Sequence, residues 1–334
     1  MVNYAGYVLR RFGQFVLVVF IGINLSFLIT HATPIDPIEQ TIAQATSFGS
    51  TSPEAVAMMR QALRELYGLE GSLWQQYLAF WKRVAVGDFG PSLSAFPTPV
   101  GELIWRALPW TIGLLFVSTM LTWCLGNLLG GLAGYFQKSS SLRIAGILAM
   151  GFHPIPYYIT AFVLLIVFGY LWPVLPITGG YRMNMARGFT SEFILSVVQH
   201  SILPVLSLMM VGLGGWFMGM RALVSNIVSE DYVQYAELGG VSQRRILTSY
   251  VMRNALVPQV TGLAMSLGHV FTGAIITEQV FGYPGIGTLL VSAVHAGDYG
   301  LVLGLTTVSI VAVSVAVLLI DLLYPLLDPR VKVR

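Results

Sequence analysis

Six long stretches without a single charged residue constrain this 334-residue chain more than any other feature. All six are strongly apolar, and they cover residues 12–35, 107–137, 144–181, 193–220, 254–277 and 299–320. A helix that crosses a bilayer needs about 20 mostly apolar residues, so each stretch can hold one crossing. None of them alternates polar and apolar residues as a transmembrane β-strand does. The pattern predicts an all-α membrane protein with six transmembrane helices.

Composition excludes several other classes of protein. Charged residues make up 10% of the chain, against about 25% in an average soluble domain. The formal charge of +3 is too small and too scattered to indicate a nucleic-acid partner. The single cysteine, Cys124, cannot form a disulfide within the chain. The expected partner of most of the surface is therefore the lipid bilayer.

Two uncharged stretches need interpretation because prolines and glycines interrupt them. The 38 residues of 144–181 hold Pro154 and Pro156, then a second group of prolines and glycines from Pro173 to Gly180. We interpret this stretch as one helix followed by a loop. A seventh uncharged stretch, 279–297, lacks a continuous apolar run and predicts a loop with a short helix.

The distribution of basic residues predicts the orientation in the membrane. Six crossings place both termini on one side, and with that side in the cytoplasm 11 of the 18 Lys and Arg residues are cytoplasmic. The short loop 138–143 is basic and holds no acid. The first apolar run, Phe12 to Ile29, exceeds the 7–15 residues of a signal-peptide core, so we interpret it as a retained first helix.

The crossings divide the chain into segments. The predicted division is an N-terminus and first helix (1–31), a periplasmic segment (32–106) and a five-helix core (107–334). Within the core, 222–253 is a cytoplasmic loop and 278–298 a periplasmic loop. The segment 32–106 should itself contain two helices, from Pro53 to Tyr67 and from Ser72 to Val86, because glycines follow both.

Motifs for chemistry are missing from the sequence. It contains no G-x-x-x-x-G-K-[ST] phosphate loop, no H-E-x-x-H and no G-x-S-x-G. The glycines from Gly282 to Gly287 have the wrong spacing for a nucleotide loop. We therefore predict no catalytic residue, no metal site and no cofactor bound by this chain. Glu278 and Asp321 lie at the ends of apolar stretches, where local hydrogen bonding or capping is favoured over contact with a substrate or ion.

Small residues recur at four-residue spacing in the second apolar stretch. Gly126, Gly130 and Gly134 would lie on one face of a helix. Such patterns allow two helices to approach closely in a membrane. We interpret them as packing positions.

The predicted cytoplasmic loop carries the most informative pattern. A short helix should begin at Glu230-Asp231, where acids favour a helix N-terminus, and end at Gly239-Gly240. Ser242 can cap a second helix. This helix-turn-helix would expose Tyr235, Arg244 and Arg245. It is either a solvated loop or a docking element for a soluble partner.

These residues resemble a known family. Asp231-Tyr-Val-x-x-Ala236-x-x-x-Gly240, followed by Arg245 and Arg253-Asn254-Ala255-Leu256-Val257-Pro258, resembles the EAA loop of ABC importer permeases of the dipeptide/oligopeptide class. Four further motifs resemble the first of the two permeases of that class and occur in its order. They are Tyr67-Gly68-Leu69 with Trp74-x-x-Tyr77, Gly87-Asp88-Phe89-Gly90-x-Ser92, Glu278-x-Val280-Phe281-x-x-Pro284-Gly285-Ile286-Gly287 with Asp298-Tyr299, and Asp321-Leu-Leu-Tyr324-x-x-Leu327-Asp328-Pro329-Arg330.

The resemblance implies a type I importer permease in a prokaryotic inner membrane. It implies a second permease subunit, two cytosolic ATPases that bind ATP and Mg²⁺, and an extracytoplasmic solute-binding protein. The residues implied in coupling to the ATPases are Asp231, Tyr232, Tyr235, Ala236, Glu237, Gly240, Arg244 and Arg245. Those implied in the outer motif and a solute pathway are Glu278, Phe281, Pro284, Gly285, Asp298 and Tyr299.

Departures from the family leave the solute open. Glu237 stands where a basic residue is usual, and Leu238-Gly239 replaces a small and often a basic residue, so the loop is more acidic than in most members. The outer stretch Ser94 to Val100 differs from that of a typical peptide permease. Both a peptide and an oligosaccharide solute are compatible with the sequence. A self-sufficient transporter or channel is the alternative function, and it would require mid-span ionisable residues or inverted repeats.

Overall fold

The architecture was analysed in a computed structural model that describes residues 4–32, 52–67, 71–268 and 274–327, with residues 38, 39, 42 and 46. The first helices are α1 (Tyr4–Ala32), α2 (Pro53–Tyr67), α3 (Leu73–Val86) and α4 (Val100–Tyr135). Next come α5 (Ser140–Phe152), α6 (Tyr157–Leu165), the π-helix π1 (Ile166–Leu171) and α7 (Ser191–Val228). After them come α8 (Asp231–Leu238), α9 (Gln243–Arg245), the π-helix π2 (Ile246–Met252) and α10 (Arg253–Gly268). The last are α11 (Ile275–Val280), α12 (Ile286–His295) and α13 (Tyr299–Leu327). Across these ranges the regular structure is helical, apart from one isolated bridge between Pro91 and Pro99.

The apolar helices account for the uncharged stretches of the sequence. Among the described residues, α1, α4, α7 and α13 are each long and apolar enough to cross a membrane. The bent pair α5 and α6–π1 is together also long and apolar enough to count as one broken span or as a re-entrant segment. The stretch 254–277 holds α10 and the start of α11, while residues 269–273 lie outside the described residues. An all-α membrane protein is therefore confirmed.

The third apolar stretch differs from its prediction. Two helices, bent by 104° relative to one another, replace the single predicted helix before the loop. The break falls at residues 153–156, where Pro154 and Pro156 remove backbone donors and disfavour helical geometry in the residues before them. The loop predicted from Pro173 to Gly180 is present. The first pair of prolines, Pro154 and Pro156, also ends a helix, which was not predicted.

The centre of the bundle is the pair α4 and α7, which pack side by side in the same direction. A Cβ added at Gly130 would lie 2.3 Å from the Phe217 carbonyl oxygen, and one at Gly134 would lie 2.8 Å from that of Arg221. A Cβ added at Gly126 would lie 2.5 Å from the Cβ of Trp216. The predicted packing role of these glycines is confirmed, because only hydrogen fits between the two backbones.

The first and last helices pack against each other in opposite directions. Ser26 Oγ and Thr306 Oγ1 are 2.6 Å apart near one end of the pair. At the other end Arg11 forms a partly exposed ion pair with Asp321 at 3.2 Å, and Tyr7 donates to the Asp321 carbonyl oxygen. Asp321 therefore has local partners. The start of α1 and the end of α13 lie on the same side of the bundle.

Two faces of the bundle can be defined from these contacts. The first turns of α4 and α13 pack together with α12 through Val100, Leu301 and Ile286, and we name this end the α12 face. The last turns of α4 and α7 pack with α8, and we name this end the α8 face. At about 1.5 Å per residue, α4 and α7 are each longer than 50 Å, so they exceed a hydrocarbon core of about 30 Å. Their ends extend beyond it.

The predicted helices between the first two spans are both present. Pro53 is the first residue of α2, and Ser52 Oγ accepts from the Ala55 N–H at 3.3 Å. Ser72 caps α3, which ends at Gly87 with a φ of +75°. Gly68 and Leu69 of the matched Tyr67-Gly68-Leu69 motif lie outside the described residues. So do Asp328 to Arg330 of the matched motif that begins at Asp321.

Candidate coupling helix and outer carboxylate caps

The short helix α8 lies where the sequence predicted it. It begins at Asp231 after the cap residue Glu230 and ends at Gly239. The N–H of Val241 donates to the Ala236 carbonyl at 3.1 Å, and that of Gly240 donates to Glu237 at 3.0 Å. These are the two hydrogen bonds of a Schellman motif, and they require the φ of +75° that Gly240 adopts. The predicted helix stop is confirmed.

One face of α8 attaches the helix to the bundle. Val233 and Ala236 are buried against Val224 at the end of α7 and against Ile246 and Val251 of π2. Their spacing of three residues places both on one side of the helix. Ala236, predicted as a coupling residue, therefore serves attachment and is not part of the accessible surface.

The opposite face of α8 is open. Tyr235 is 72% exposed and Leu238 is 85% exposed, and their three-residue spacing places both on one side of the helix. Other charged and polar candidates are also exposed, namely Asp231, Tyr232, Glu237, Gly240, Arg244 and Arg245. The predicted exposure of Tyr235, Arg244 and Arg245 is confirmed. Ser242 precedes α9, but its side chain makes no capping hydrogen bond, so that part of the prediction was wrong.

Asn254 connects α8 to the start of α10. Its Nδ2 donates to the Tyr232 hydroxyl at 3.1 Å and to the Tyr250 carbonyl at 2.7 Å. The first residues of α10 are thereby joined to both α8 and π2. The sequence pattern did not identify Asn254 as a coupling residue, although it lies in the matched motif.

Glu278 occupies a fully buried site at the α12 face. Its Oε1 accepts from Thr111 Oγ1 at 2.7 Å, and its Oε2 accepts from the Gly287 N–H at 2.7 Å. The same Thr111 hydroxyl accepts from the Ile286 N–H at 2.8 Å. Ile286 and Gly287 are the first residues of α12, whose free N–H groups and positive dipole end favour a carboxylate. Glu278 and Thr111 together cap α12, the role that the sequence favoured for this acid.

The glycines of the outer motif make room for that carboxylate. A Cβ at Gly285 would lie 2.3 Å from Glu278 Oε2, and one at Gly287 would lie 2.8 Å from it. Pro284 packs against Gly180, where a Cβ would lie 2.9 Å from its ring. Any larger residue at these glycines would displace the cap.

Aromatic residues that follow Glu278 closely in the chain are also buried. Phe281 and Tyr283 are buried, and Trp110 contacts the Tyr283 ring edge to face with centroids 5.6 Å apart. The Tyr283 hydroxyl lies 2.9 Å from Ser201 Oγ on α7. Burial raises the pKa of Tyr283 above its ordinary value, so the phenol stays protonated.

Asp298 joins two motifs that are far apart in the sequence. Its carboxylate is fully buried and accepts hydrogen bonds from the Ser92 and Ser94 hydroxyls and from the Ser94 N–H. The Leu301 N–H also donates to it, which caps α13. Tyr299, beside it, is the first residue of α13 and is half-buried. The matched segment Gly87 to Ser92 is thus held against the start of the last helix.

The structure holds the two carboxylates of the outer motif in two separate hydrogen-bonded caps. Sequence reasoning did not find Thr111 or Ser94 as partners, and it named Ser92 only as part of a matched motif. A threonine in an apolar stretch and serines in a loop carry no signal that indicates a distant carboxylate. That the outer-motif residues contact a transported solute stays a prediction.

These features define a class of protein. The chain has several membrane-spanning helices, a network of polar contacts at one face and a short exposed helix at the other. It is a multispanning membrane protein whose α8 face carries a compact, exposed helix.

Comparison with known proteins identifies the family. Residues 126–333 match the family described as "Binding-protein-dependent transport system inner membrane component". The chain belongs to this family and is a multispanning transport subunit of an inner membrane. It is the transmembrane subunit of an ABC importer.

Curated relatives resemble the chain along its whole length. It is 29% identical to the oligopeptide transport system permease protein AppB of Bacillus subtilis, over 98% of this chain and 99% of the relative. It is 30% identical to the dipeptide transport system permease protein DppB of Escherichia coli K12, over 98% of both chains. It is also 30% identical to the probable D,D-dipeptide transport system permease protein DdpB of the same strain, over 92% of both.

Proposed function

We propose that this chain forms half of a transmembrane pathway for peptides and couples it to ATP hydrolysis on separate subunits. The exposed face of α8 carries this proposal, since Tyr235 and Leu238 leave a large apolar surface uncovered next to charged residues. Such a mixture of an aromatic anchor and a charged rim is typical of protein–protein contacts. The site residues for coupling are the exposed ones, from Asp231 to Arg245.

The proposed solute is a peptide. The three relatives above are named for oligopeptide, dipeptide and D,D-dipeptide transport, and they match the chain from end to end. This favours a peptide over the oligosaccharide that the outer stretch Ser94 to Val100 left open. An extracytoplasmic binding protein would deliver the peptide to the α12 face, and a second permease would complete the pathway.

The proposed mechanism uses α8 as a lever. Two cytosolic ATPases would bind ATP and Mg²⁺, and their closure would move α8 as a rigid body. Val233 and Ala236 attach the lever to α7 and π2, while the Asn254–Tyr232 hydrogen bond attaches it to α10. Nucleotide can then select between two packings of the bundle that are close in free energy.

The proposed orientation places the α8 face in the cytoplasm. The start of α1 and the end of α13 share one side, as an even number of crossings requires. The excess of basic residues in the segments predicted to be inside supports the cytoplasm for that side. A membrane-impermeant maleimide can test this in a Cys124→Ser background: cysteine at Met58 should react in intact cells, and cysteine at Tyr235 only after lysis. The reverse pattern would overturn the orientation.

Affinity purification from the native host in mild detergent tests the assembly. We expect a second permease and one or two P-loop ATPases to accompany the tagged chain. The binding protein recovered or encoded with them should bind peptides in a thermal-shift screen and should not bind oligosaccharides. Recovery of a monodisperse chain alone, active in transport after reconstitution, would instead support a self-sufficient transporter.

A further inference from the structure

The helix α3, in the segment between the first two spans, packs one face against α1. Tyr77 donates its hydroxyl hydrogen to Asn24 Oδ1 at 2.7 Å. Further along, the Phe80 ring lies 5.1 Å from that of Phe27, and Trp81 stacks on Phe20 at 5.6 Å between centroids. The middle of the helix is therefore attached to α1 through large side chains.

The contacts fix the depth at which α3 lies. Its partners on α1 all fall within the uncharged stretch 12–35 and in the half of α1 that is nearer the α12 face. Leu303 and Val311 of α13 pack against the same cluster. A helix beside the halves of α1 and α13 that are nearer the α12 face lies at the level of a leaflet and its headgroups. It does not stand in bulk solution.

The face of α3 that points away from α1 is unusually apolar. On that face Leu78 is 45% exposed and Val86 is 82% exposed, while Leu73 and Trp74 in the first turn of the helix are also 67% and 65% exposed. Lys82 is exposed on the same helix, which contains no acidic residue. Exposed aromatic and aliphatic side chains with a cation are the composition of a membrane interface, where the cation meets phosphate groups.

The lipid-facing surface of α1 continues into this face. Leu25 and Leu28 of α1 are both more than half exposed, as expected for a span of which little is buried. They occupy the same half of α1 that α3 packs against. An apolar surface on α3 next to a lipid-exposed surface on α1 extends one interface with the bilayer.

The preceding helix offers an internal comparison. α2 carries acids and bases together, and Arg60 forms an ion pair with Glu39 at 2.6 Å. Its exposed apolar residue Met58 stands among charged neighbours. The two helices follow one another in the chain, but α2 carries acidic side chains among its exposed residues and α3 carries none.

We propose that α3 is an interfacial helix whose exposed face lies at the boundary of headgroups and acyl chains, with Lys82 binding lipid phosphates. The leaflet is the outer one in the orientation proposed above. Lipid is favoured over a protein partner because the face is cationic, free of acids and continuous with the lipid-facing side of α1.

Depth measurement by spin labelling tests this proposal. In a Cys124→Ser background, a nitroxide would be attached to cysteine at Leu78 or Trp74, and to cysteine at Met58 as the matched control on α2. All three positions are exposed, so the variants should fold, which gel filtration of the purified complex would check. The complex would be reconstituted in vesicles of phosphatidylethanolamine and phosphatidylglycerol.

The expected result is a reversal of collision rates between the two helices. At Leu78 and Trp74, molecular oxygen should relax the label more than the water-soluble nickel complex Ni(II)-EDDA, and at Met58 less. Stronger relaxation by Ni(II)-EDDA at Leu78 and Trp74 would place α3 in water. Immobilised labels that neither reagent reaches would indicate a protein occupant, and both outcomes would overturn the proposal. The measurement does not depend on transport, so its failure is distinct from failure of the proposed function.

Discussion

The two ends of this bundle use their polar and charged residues in opposite ways. At the α12 face, Glu278 and Asp298 are buried and their hydrogen bonds are made within the chain. At the α8 face, the candidate residues Tyr235, Arg244 and Arg245 point away from the bundle. A motif match alone cannot separate these cases, because both segments resemble the same family equally well. The contacts show that the first set is satisfied within the chain, whereas the second set is exposed, as the proposed coupling role requires.

The largest effect should come from removing the buried acid. Glu278→Ala leaves Thr111 Oγ1 and the Gly287 N–H without their acceptor, and each such buried group costs about 1–3 kcal/mol. We expect a much lower thermal midpoint and little folded protein in membranes, measured by fluorescence-detected size exclusion after heating. Glu237→Ala, an exposed acid on α8, is the control and should melt like the unmodified chain. Equal midpoints for both variants would refute the contrast between the two faces.

The next effect concerns the end of the coupling helix. Gly240→Pro cannot adopt a φ of +75° and loses the N–H that donates to Glu237, so α8 should lose its fixed end. We expect uptake to fall roughly tenfold or more while the chain remains in the membrane and ATP hydrolysis continues in the complex. Gly240→Asn, which tolerates a positive φ better than other side chains, should retain most uptake. Unchanged uptake in the proline variant would show that the lever lies elsewhere.

A smaller effect should separate the two sides of α8. Tyr235→Ala removes an exposed anchor, so affinity for the ATPases should fall by about tenfold, or 1.4 kcal/mol, without a change in thermal midpoint. Val233→Ala should do the reverse and lower stability by about 1–3 kcal/mol through lost packing. Pull-down titrations and melting curves on the same preparations provide both readouts. A stability loss in Tyr235→Ala would mean that this side chain belongs to the bundle.

The smallest effect concerns charge at the coupling surface. Glu237→Lys introduces the basic residue more usual in the family at an exposed position. If partners of this chain are matched to its acid, affinity should decrease by less than about 1 kcal/mol, and the difference should shrink as salt screens it. Binding measured at low and high ionic strength provides the test. An identical affinity at low salt would exclude Glu237 from the contact.

Much of the fold was accessible to sequence reasoning because its signals are local. Apolar length predicted the spans, and Gly239-Gly240 predicted the helix stop, since both depend on residues close together in the chain. The bend at Pro154 was missed for a different reason. A proline can end a helix, kink it or precede it, and residue order alone did not distinguish a break within the membrane from the start of a loop.

The carboxylate network was not predictable in detail. Glu278 was correctly favoured as a capping residue, but its partner Thr111 lies 167 positions away on α4. No periodicity in either segment relates them. The same limit applies to α3, whose sequence predicted a helix but not its position. That position depends on contacts of Tyr77 and Trp81 with α1, which is distant in the sequence.

The hydrogen bonds of Asp298 also have a consequence for biosynthesis. Ser92 and Asp298 are 206 positions apart, so the helices from α4 to α12 are all synthesised before the serine loop meets its acceptor. Until then Ser92 and Ser94 lack the buried carboxylate that accepts their hydrogen bonds in the folded chain. Closure of this contact therefore marks a late stage of assembly, and a truncated chain without α13 would expose an unfinished loop to the proteases that survey newly made membrane proteins.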